Sequence, residues 1–531
     1  MLSIKFNNRN ILSHLSLTAL LVYSGTALSV HASENQQIAS SSPPSTESNQ
    51  AEGPTPPCHD RKTVIVSGLD LLSKEAQEKI MDRIPLCLEQ KNLNAISKWM
   101  TASFAREGYF HIHLKDQSSL SNENVQLDIE PVRIADIVGA SQTMNPNVIF
   151  PGYKAHPYLY LSDLEEGLDQ LNRLSSNHVE IDIESVSEGM VLIKMKNQDK
   201  SRFHGSLGFT NTGEKITGKV VTQASVSLDS PFGLSDFISA GGSRSSGMES
   251  ISTSYNMPYG YWLLSGTASD TDKKYRSPFA TTSGQRRALT HYVAIQLERV
   301  LERNKASITS LSGQLSRANV QKTLDGAMNE AQSPVITKSL LGIHHTALFG
   351  NASLKTDLEW QRGLEQLNAT RDLPTKDSDD PHAQFNKFLL SGNWSGSFTV
   401  DHRTLNYEHQ FFGQYATHAL YGREQLSISD APYIRGMSDW DISGDTGFVF
   451  HHTLSMPLPS SSVHLTPRIG FDIGQVWNSG HHHDKLFARS ASIGMTIRAK
   501  NMVLDVDYAK GNTTSDTCGV HHLFASGTWS F

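Results

Sequence analysis

Two rhythms of apolar and polar residues divide the chain. Between Cys58 and about Lys200 short strand-like runs alternate with stripes at helical spacing, whereas from Arg202 to Phe531 the dominant period is two. In the first region Thr63–Val66 reads as a strand and Ser73 as the cap of a helix that carries Ile80 and Ile84. A second helix places Leu93, Ile96, Met100 and Phe104 on one face and ends at Gly108. Strands at His111–Leu114 and Val125–Ile129 complete a β-α-α-β-β unit. The order then repeats: a strand at Arg133–Val138, a helix from Ser162, and strands at Val179–Ile183 and Met190–Met195. Ser162 and Glu165 match a capping box, with Leu164, Leu168 and Leu171 as the buried stripe behind it. Each unit leaves a short marginal strand able to pair with an extended guest. These are His111, Ile112, His113 and Leu114 in the first, and Val179, Glu180, Ile181, Asp182 and Ile183 in the second.

Beyond Arg202 the alternation separates two faces. Thr222, Ala224, Val226 and Leu228 alternate with Val221, Gln223, Ser225 and Ser227, while Met502, Leu504, Val506 and Tyr508 alternate with Asp505, Asp507 and Ala509. One face suits lipid and the other a wet interior, the pattern of a transmembrane β-barrel; a soluble sandwich is the competing arrangement. Leu523, Ala525, Gly527, Trp529 and Phe531 share one face of the last segment, so Trp529 and Phe531 form a barrel-closing signal at an interfacial belt. At ~10 residues per strand plus turns, this region supplies about sixteen antiparallel strands, wide enough to leave a polar lumen.

Composition agrees with that division. Only 38% of the 531 residues are hydrophobic and no apolar run reaches helical membrane-spanning length, which excludes a helical membrane protein but not a barrel. The formal charge of −7 gives no support to a nucleic-acid partner. Lys5 and Arg9 precede an apolar stretch, Ile11–Tyr23, and small residues up to Ala32, so residues 1–32 read as a secretory signal peptide cleaved after Ala32. Residues 33–57 are rich in Ser and Pro and read as a flexible linker. In an oxidising compartment Cys58 and Cys87 are placed to staple the first small domain, with Cys518 left over.

One pairing within the barrel region carries candidate chemistry. Ile469, Phe471 and Ile473 share the apolar face of their strand, which sends Gly470, Asp472 and Gly474 toward the lumen. An inward carboxylate calls for a cation, and the turn-rich segment Ala431–Gly436 offers Arg435 between Ile434 and Gly436. Spacing alone favours the blander arrangement, an exposed loop Arg and a solvated lumen Asp, over the pair.

The ordered set of motifs resembles the two-partner secretion transporters of the haemolysin-activator and filamentous-haemagglutinin-secretion type, within the superfamily that carries POTRA (polypeptide-transport-associated) domains. The resemblance spans Cys58–Phe531. It rests on Cys87, Arg106–Tyr109, Leu161–Leu174, Pro258–Trp262, Ile434–Gly436, Gly444–Gly447 and Gly470–Gly474. It implies POTRA domains at 58–131 and 132–200, a sixteen-stranded barrel at 201–531, and a sixth extracellular loop folded into the pore with its tip Arg435 paired to Asp472. It also implies a pore-plugging helix for which residues 33–57 are a poor, Pro-rich counterpart. Two departures stand out: Met437 replaces an aromatic after the Arg-Gly pair, and His451-His452-Thr453 replace an Arg-Asn-Glu run.

His481-His482-His483-Asp484 reads as a loop rather than a metal site, because consecutive strand residues point to opposite faces. The pairs His344-His345, His451-His452 and His521-His522 read as barrel positions, with His451 toward the lumen. No nucleophile elbow, phosphate loop or zincin helix is present, so neither an enzyme nor a cofactor is expected. The expected function is an outer-membrane translocation pore, with its POTRA domains in the periplasm, for an unfolded secreted exoprotein such as a haemolysin, adhesin or contact-dependent toxin. Its other expected partners are outer-membrane lipid and the barrel assembly machinery. A barrel assembly and insertion factor is the alternative, and a passive solute channel the second.

Overall fold

A computed structural model describes residues 4–6, 63–83, 90–116, 124–154, 158–198, 200–276, 284–429, 433–437, 441–459, 462–479, 485–514 and 519–531. The leader cleavage site, the linker 33–57, Cys58, Cys87, Cys518 and residues 481–484 lie outside them. The chain divides into two units, one built from the small α/β modules and the other from the barrel.

The first module forms as its pattern predicts. Strand Thr63–Ser67 pairs in parallel with Asn124–Pro131, which pairs antiparallel with Ile112–Asp116. Helices Lys74–Met81 and Gln90–Arg106 cover the sheet. Ser73 Oγ accepts a hydrogen bond from the Ala76 amide at 3.4 Å, and Ile80, Ile96, Met100 and Phe104 enter one core with Ile112, Leu127 and Ile129. Gly108, at φ +93°, turns the chain out of the second helix.

In the second module Arg133–Val138, Met190–Asn197 and Val179–Ser187 form the sheet in that order, and Leu161–Asn172 supplies Leu164, Leu168 and Leu171 to its core. The expected capping box is absent. The helix starts one residue earlier, at Leu161, with Tyr160 as its N-cap and no side-chain capping bond. Tyr160 bridges to Tyr109, and the Leu161 amide donates to Gly108 O at 2.9 Å, so the first module's backbone sets the entry to this helix. Of the two predicted guest-accepting strands, Ile112–Asp116 ends its sheet, but Val179–Ser187 does not: Ile4–Phe6, within the stretch read as the leader, pairs along its outer side. That addition is antiparallel, with Ile4 opposite Ile183 and Phe6 opposite Ile181.

The second unit is a closed barrel of sixteen long antiparallel strands, from Phe203–Thr210 to Val520–Ser530, each paired with its chain neighbours, plus the two-residue piece Ala327–Met328. Alternation sorts the side chains: Val226, Ile251, Ile295, Ile493, Met502 and Leu523 are exposed outward, whereas Ser312, Ser316, Gln361, Asp472 and Ser490 are buried. No helix among the described residues is long and apolar enough to cross a membrane. Ser526–Ser530 close the ring against Ser206–Thr210, and Phe531 continues the ladder by exchanging two hydrogen bonds with Gly205. A Cβ on Gly205 would fall 2.4 Å from the Phe531 ring, and one on Gly527 would fall 2.5 Å from that of Phe209. The seam is thus keyed by two aromatic-on-glycine fits, and Trp529 and Phe531 lie outward as the alternation predicts.

Candidate functional site

The strand Arg403–Ala416 leads into a segment, 417–445, that returns as the strand Thr446–Ser455. Its two arms meet as a small hairpin, Leu426–Ser427 against Ser443–Gly444. Leu426, Ile428, Ile434, Met437 and Ile442 are buried together with the inward wall residues Val449, Val476 and Ala488. The loop therefore fills part of the lumen, and Met437 takes up a core position, with its Sδ over Gly511.

Arg435 and Asp472 meet as the resemblance implies. Asp472 sits on the strand His464–Trp477 and is fully buried. Its Oδ2 accepts from the Arg435 backbone amide and from Arg435 Nε, both at 2.9 Å, and from Ser490 Oγ at 2.9 Å. Its Oδ1 accepts from Arg435 Nη2 at 2.5 Å and faces His451 Nδ1 at 3.1 Å. The guanidinium is completed by His452 O at 2.8 Å and Thr453 Oγ1 at 3.3 Å. His451 Nδ1 also faces Tyr433 O at 3.2 Å, so with two acceptors before it this nitrogen carries the proton. A buried carboxylate left unpaired would be costly; here two oxygens receive five donors, two of which, Arg435 Nε and Nη2, form a bidentate fork.

The motif glycines have a spatial reason. A Cβ on Gly470 would fall 2.1 Å from Arg435 Nη2, so the guanidinium occupies the volume that any other residue would fill. A Cβ on Gly474 would meet Ile434 Cδ1 and Phe448 O, each at 3.0 Å. Gly436 holds φ +89°, the left-handed turn that brings the tip back after Arg435.

The run His451-His452-Thr453 takes part in the network around Asp472. His451, Asp472 and Ser490 stand opposite one another on three neighbouring strands, so a register argument from Asp472 would have located both partners. His344 is likewise a network member and not a bland wall position, bonded to Ser312 Oγ at 2.8 Å and Asp357 Oδ1 at 2.7 Å.

A second charged cluster holds the other end of the loop, and no motif announces it. Glu424 is 2% exposed; its Oε2 accepts from Lys338 Nζ at 2.7 Å and Lys387 Nζ at 2.9 Å. Lys387 also donates to Glu424 O at 3.0 Å, and Lys338 to Gln361 Oε1 at 3.1 Å. Gln414 Nε2 ties the backbone of Glu424 to that of Asp445, at 3.1 and 2.9 Å. Burial pushes the Glu424 carboxyl toward a higher pKa, but Lys338 and then Lys387 outweigh it and hold the group well below the usual carboxylate range. Beside it Ile336, Phe385, Ala416 and Leu420 form a small apolar core.

Residues 189–497 match the family model described as haemolysin secretion/activation protein ShlB/FhaC/HecB. The chain belongs to that family. A POTRA-domain model matches residues 121–185, across the second α/β module. Among curated family members, the haemolysin transporter protein HpmB of Proteus mirabilis is 29% identical over 463 residues, covering 86% of this chain and 82% of its own. The outer membrane transporter CdiB of Dickeya dadantii is 30% identical over 434 residues, covering 78% and 75%. The solved structure of CdiB from Escherichia coli superposes with a TM-score of 0.82 at 24% identity, over 91% of this chain and 93% of that one, which establishes the shared fold. As a family member this chain is an outer-membrane barrel with a POTRA domain on the periplasmic side. The strands therefore begin at the periplasmic rim with Phe203, and the loop 417–445 enters the lumen from outside.

Proposed function

We propose that this chain is the outer-membrane pore of a two-partner secretion system, exporting a large unfolded exoprotein of the haemolysin or contact-dependent toxin class. The observation that carries the reading is the Arg435–Asp472 tie, which holds the inward loop against the lumen wall. The periplasmic modules supply the capture surface. Ile112–Asp116 ends its sheet, and the pairing of the leader residues Ile4–Phe6 along Val179–Ser187 supports that strand, once the leader is gone, as an acceptor of extended chain in antiparallel register. Apolar residues of the guest would alternate with its polar ones, and the Asp182–Lys196 ion pair at 2.5 Å contributes charge beside the edge. Folding of the exported chain outside the membrane gives the passage its direction, since the pore carries no nucleotide motif.

The test is co-expression of the full chain with its exoprotein and assay of the medium. Arg435→Ala and Asp472→Ala each reduce export at least about tenfold, in keeping with the cost of breaking a buried pair, at unchanged levels of folded barrel. Normal export by both variants defeats the gate reading. General loss of other outer-membrane barrels on depletion of this chain would instead favour an assembly factor.

A further inference from the structure

The loop 417–445 has two charged attachments, on different parts of the wall. Arg435 binds the sector Thr446–Ser455, His464–Trp477 and Leu486–Ala499, through His452, Thr453, Asp472 and Ser490. Glu424 binds the sector formed by Val335–Phe349 and Asn386–Val400, through Lys338 and Lys387. Between them lies the hairpin Leu426–Ser427 with Ser443–Gly444, reinforced by Ile428 N to Ile442 O at 2.9 Å. The attachments share no residue, and each has its own apolar cluster.

Breaking the tip attachment therefore leaves the base intact. Lys338 and Lys387 are 5% and 1% exposed, so their bonds to Glu424 are not replaced by water while the nearby core of Ile336, Phe385 and Leu420 stays packed. We infer that Glu424 is a positioning residue for transport: with Lys338 and Lys387 it forms an independent anchor at the extracellular end, about which the loop pivots when Arg435 is released. The moving part is then the tip and its apolar arm. The base remains as a hinge that returns the plug after passage.

Single-channel recording of the purified full chain in planar bilayers tests this without cargo, so failure here leaves the export reading untouched. Four chains are compared: wild type, Arg435→Ala, Glu424→Gln and the double substitution, each verified as a folded barrel by heat-modifiable electrophoretic mobility. Each single variant retains one anchor, and its open time rises at most a few-fold. The double variant has neither, and its open time rises by about tenfold or more, at least the product of the two single effects, as separate sites require. A double variant no more open than Arg435→Ala overturns the proposal. So does Glu424→Gln alone opening as fully as the double, because the anchors are then not independent. Glu424→Gln leaves two buried ammonium groups without their carboxylate, so a control carries Glu424→Gln with Lys338→Met and Lys387→Met. This control, combined with Arg435→Ala, opens as the double variant does. If it behaves like Arg435→Ala alone, stranded charge and not loss of an anchor caused the opening, and the proposal falls.

Discussion

The two ends of the inward loop solve one electrostatic problem in opposite ways. At the tip a single carboxylate, Asp472, receives a bidentate guanidinium, a backbone amide, a hydroxyl and an imidazole. At the base a single carboxylate, Glu424, receives two flexible ammonium groups from separate strands. The tip depends on shape: a planar fork fits over a missing side chain at Gly470 and is lost if that space is filled. The base depends on charge: two point cations share one acceptor. A shape-dependent contact is brittle and suits a release point, whereas a redundant one suits a hinge.

The largest expected effect attacks the shape of the tip. Gly470→Ala places a methyl where the guanidinium lies, expels Arg435 from Asp472 and weakens the tip attachment by about 3–5 kcal/mol, the cost of breaking a buried pair, while the Glu424 base stays attached. Raised baseline conductance with an intact barrel checks it, and a wild-type current trace would show that the fit is loose. A smaller effect is expected at the base. Lys338→Met leaves Lys387 on Glu424 and costs about 1.5–3 kcal/mol, one charge-assisted bond. In recordings of the Arg435→Ala background it opens less than Glu424→Gln does; equal opening would mean that the two lysines are not redundant. The smallest concerns His451. Replacement by Gln keeps a donor in the row facing Asp472 and costs about 1 kcal/mol or less, read as a slight fall in export. Loss of export as complete as that of Asp472→Ala would make the imidazole part of the gate itself.

The contrast also explains what could be read before the fold was known. Alternation placed Asp472 inward, Ile469 and Phe471 outward, and the closing Trp529 and Phe531 on the lipid face, because in a strand the face follows from parity. The Arg435–Asp472 pair became legible through short motifs, with Gly436 after the Arg and Gly470 and Gly474 on either side of the Asp. Nothing similar marks Lys338, Lys387 and Glu424: each stands alone in its stretch, and only barrel closure and loop entry bring them together. The Ser162–Glu165 capping pattern failed for a related reason. Tyr109 and Gly108 lie far upstream in sequence, yet their backbone determines where the helix at Leu161 begins.

The seam between Ser206–Thr210 and Ser526–Ser530 has a consequence for how the molecule comes into being. Every other wall strand pairs with its chain neighbour across a turn or loop, so the sheet grows by local hairpins with little loop-closure entropy to overcome. The ring closes only when residues about as distant as Asn211 and Leu523, separated by 312 positions, find each other. That is the slow, high-contact-order step, and until it occurs both margins of the sheet are exposed templates for wrong partners. The rings of Phe531 and Phe209, each seated on a glycine of the opposite margin, set the register of that meeting. A margin shifted by one residue would drive each ring against a side chain, so the fits that finish the wall also discriminate against misaligned closure.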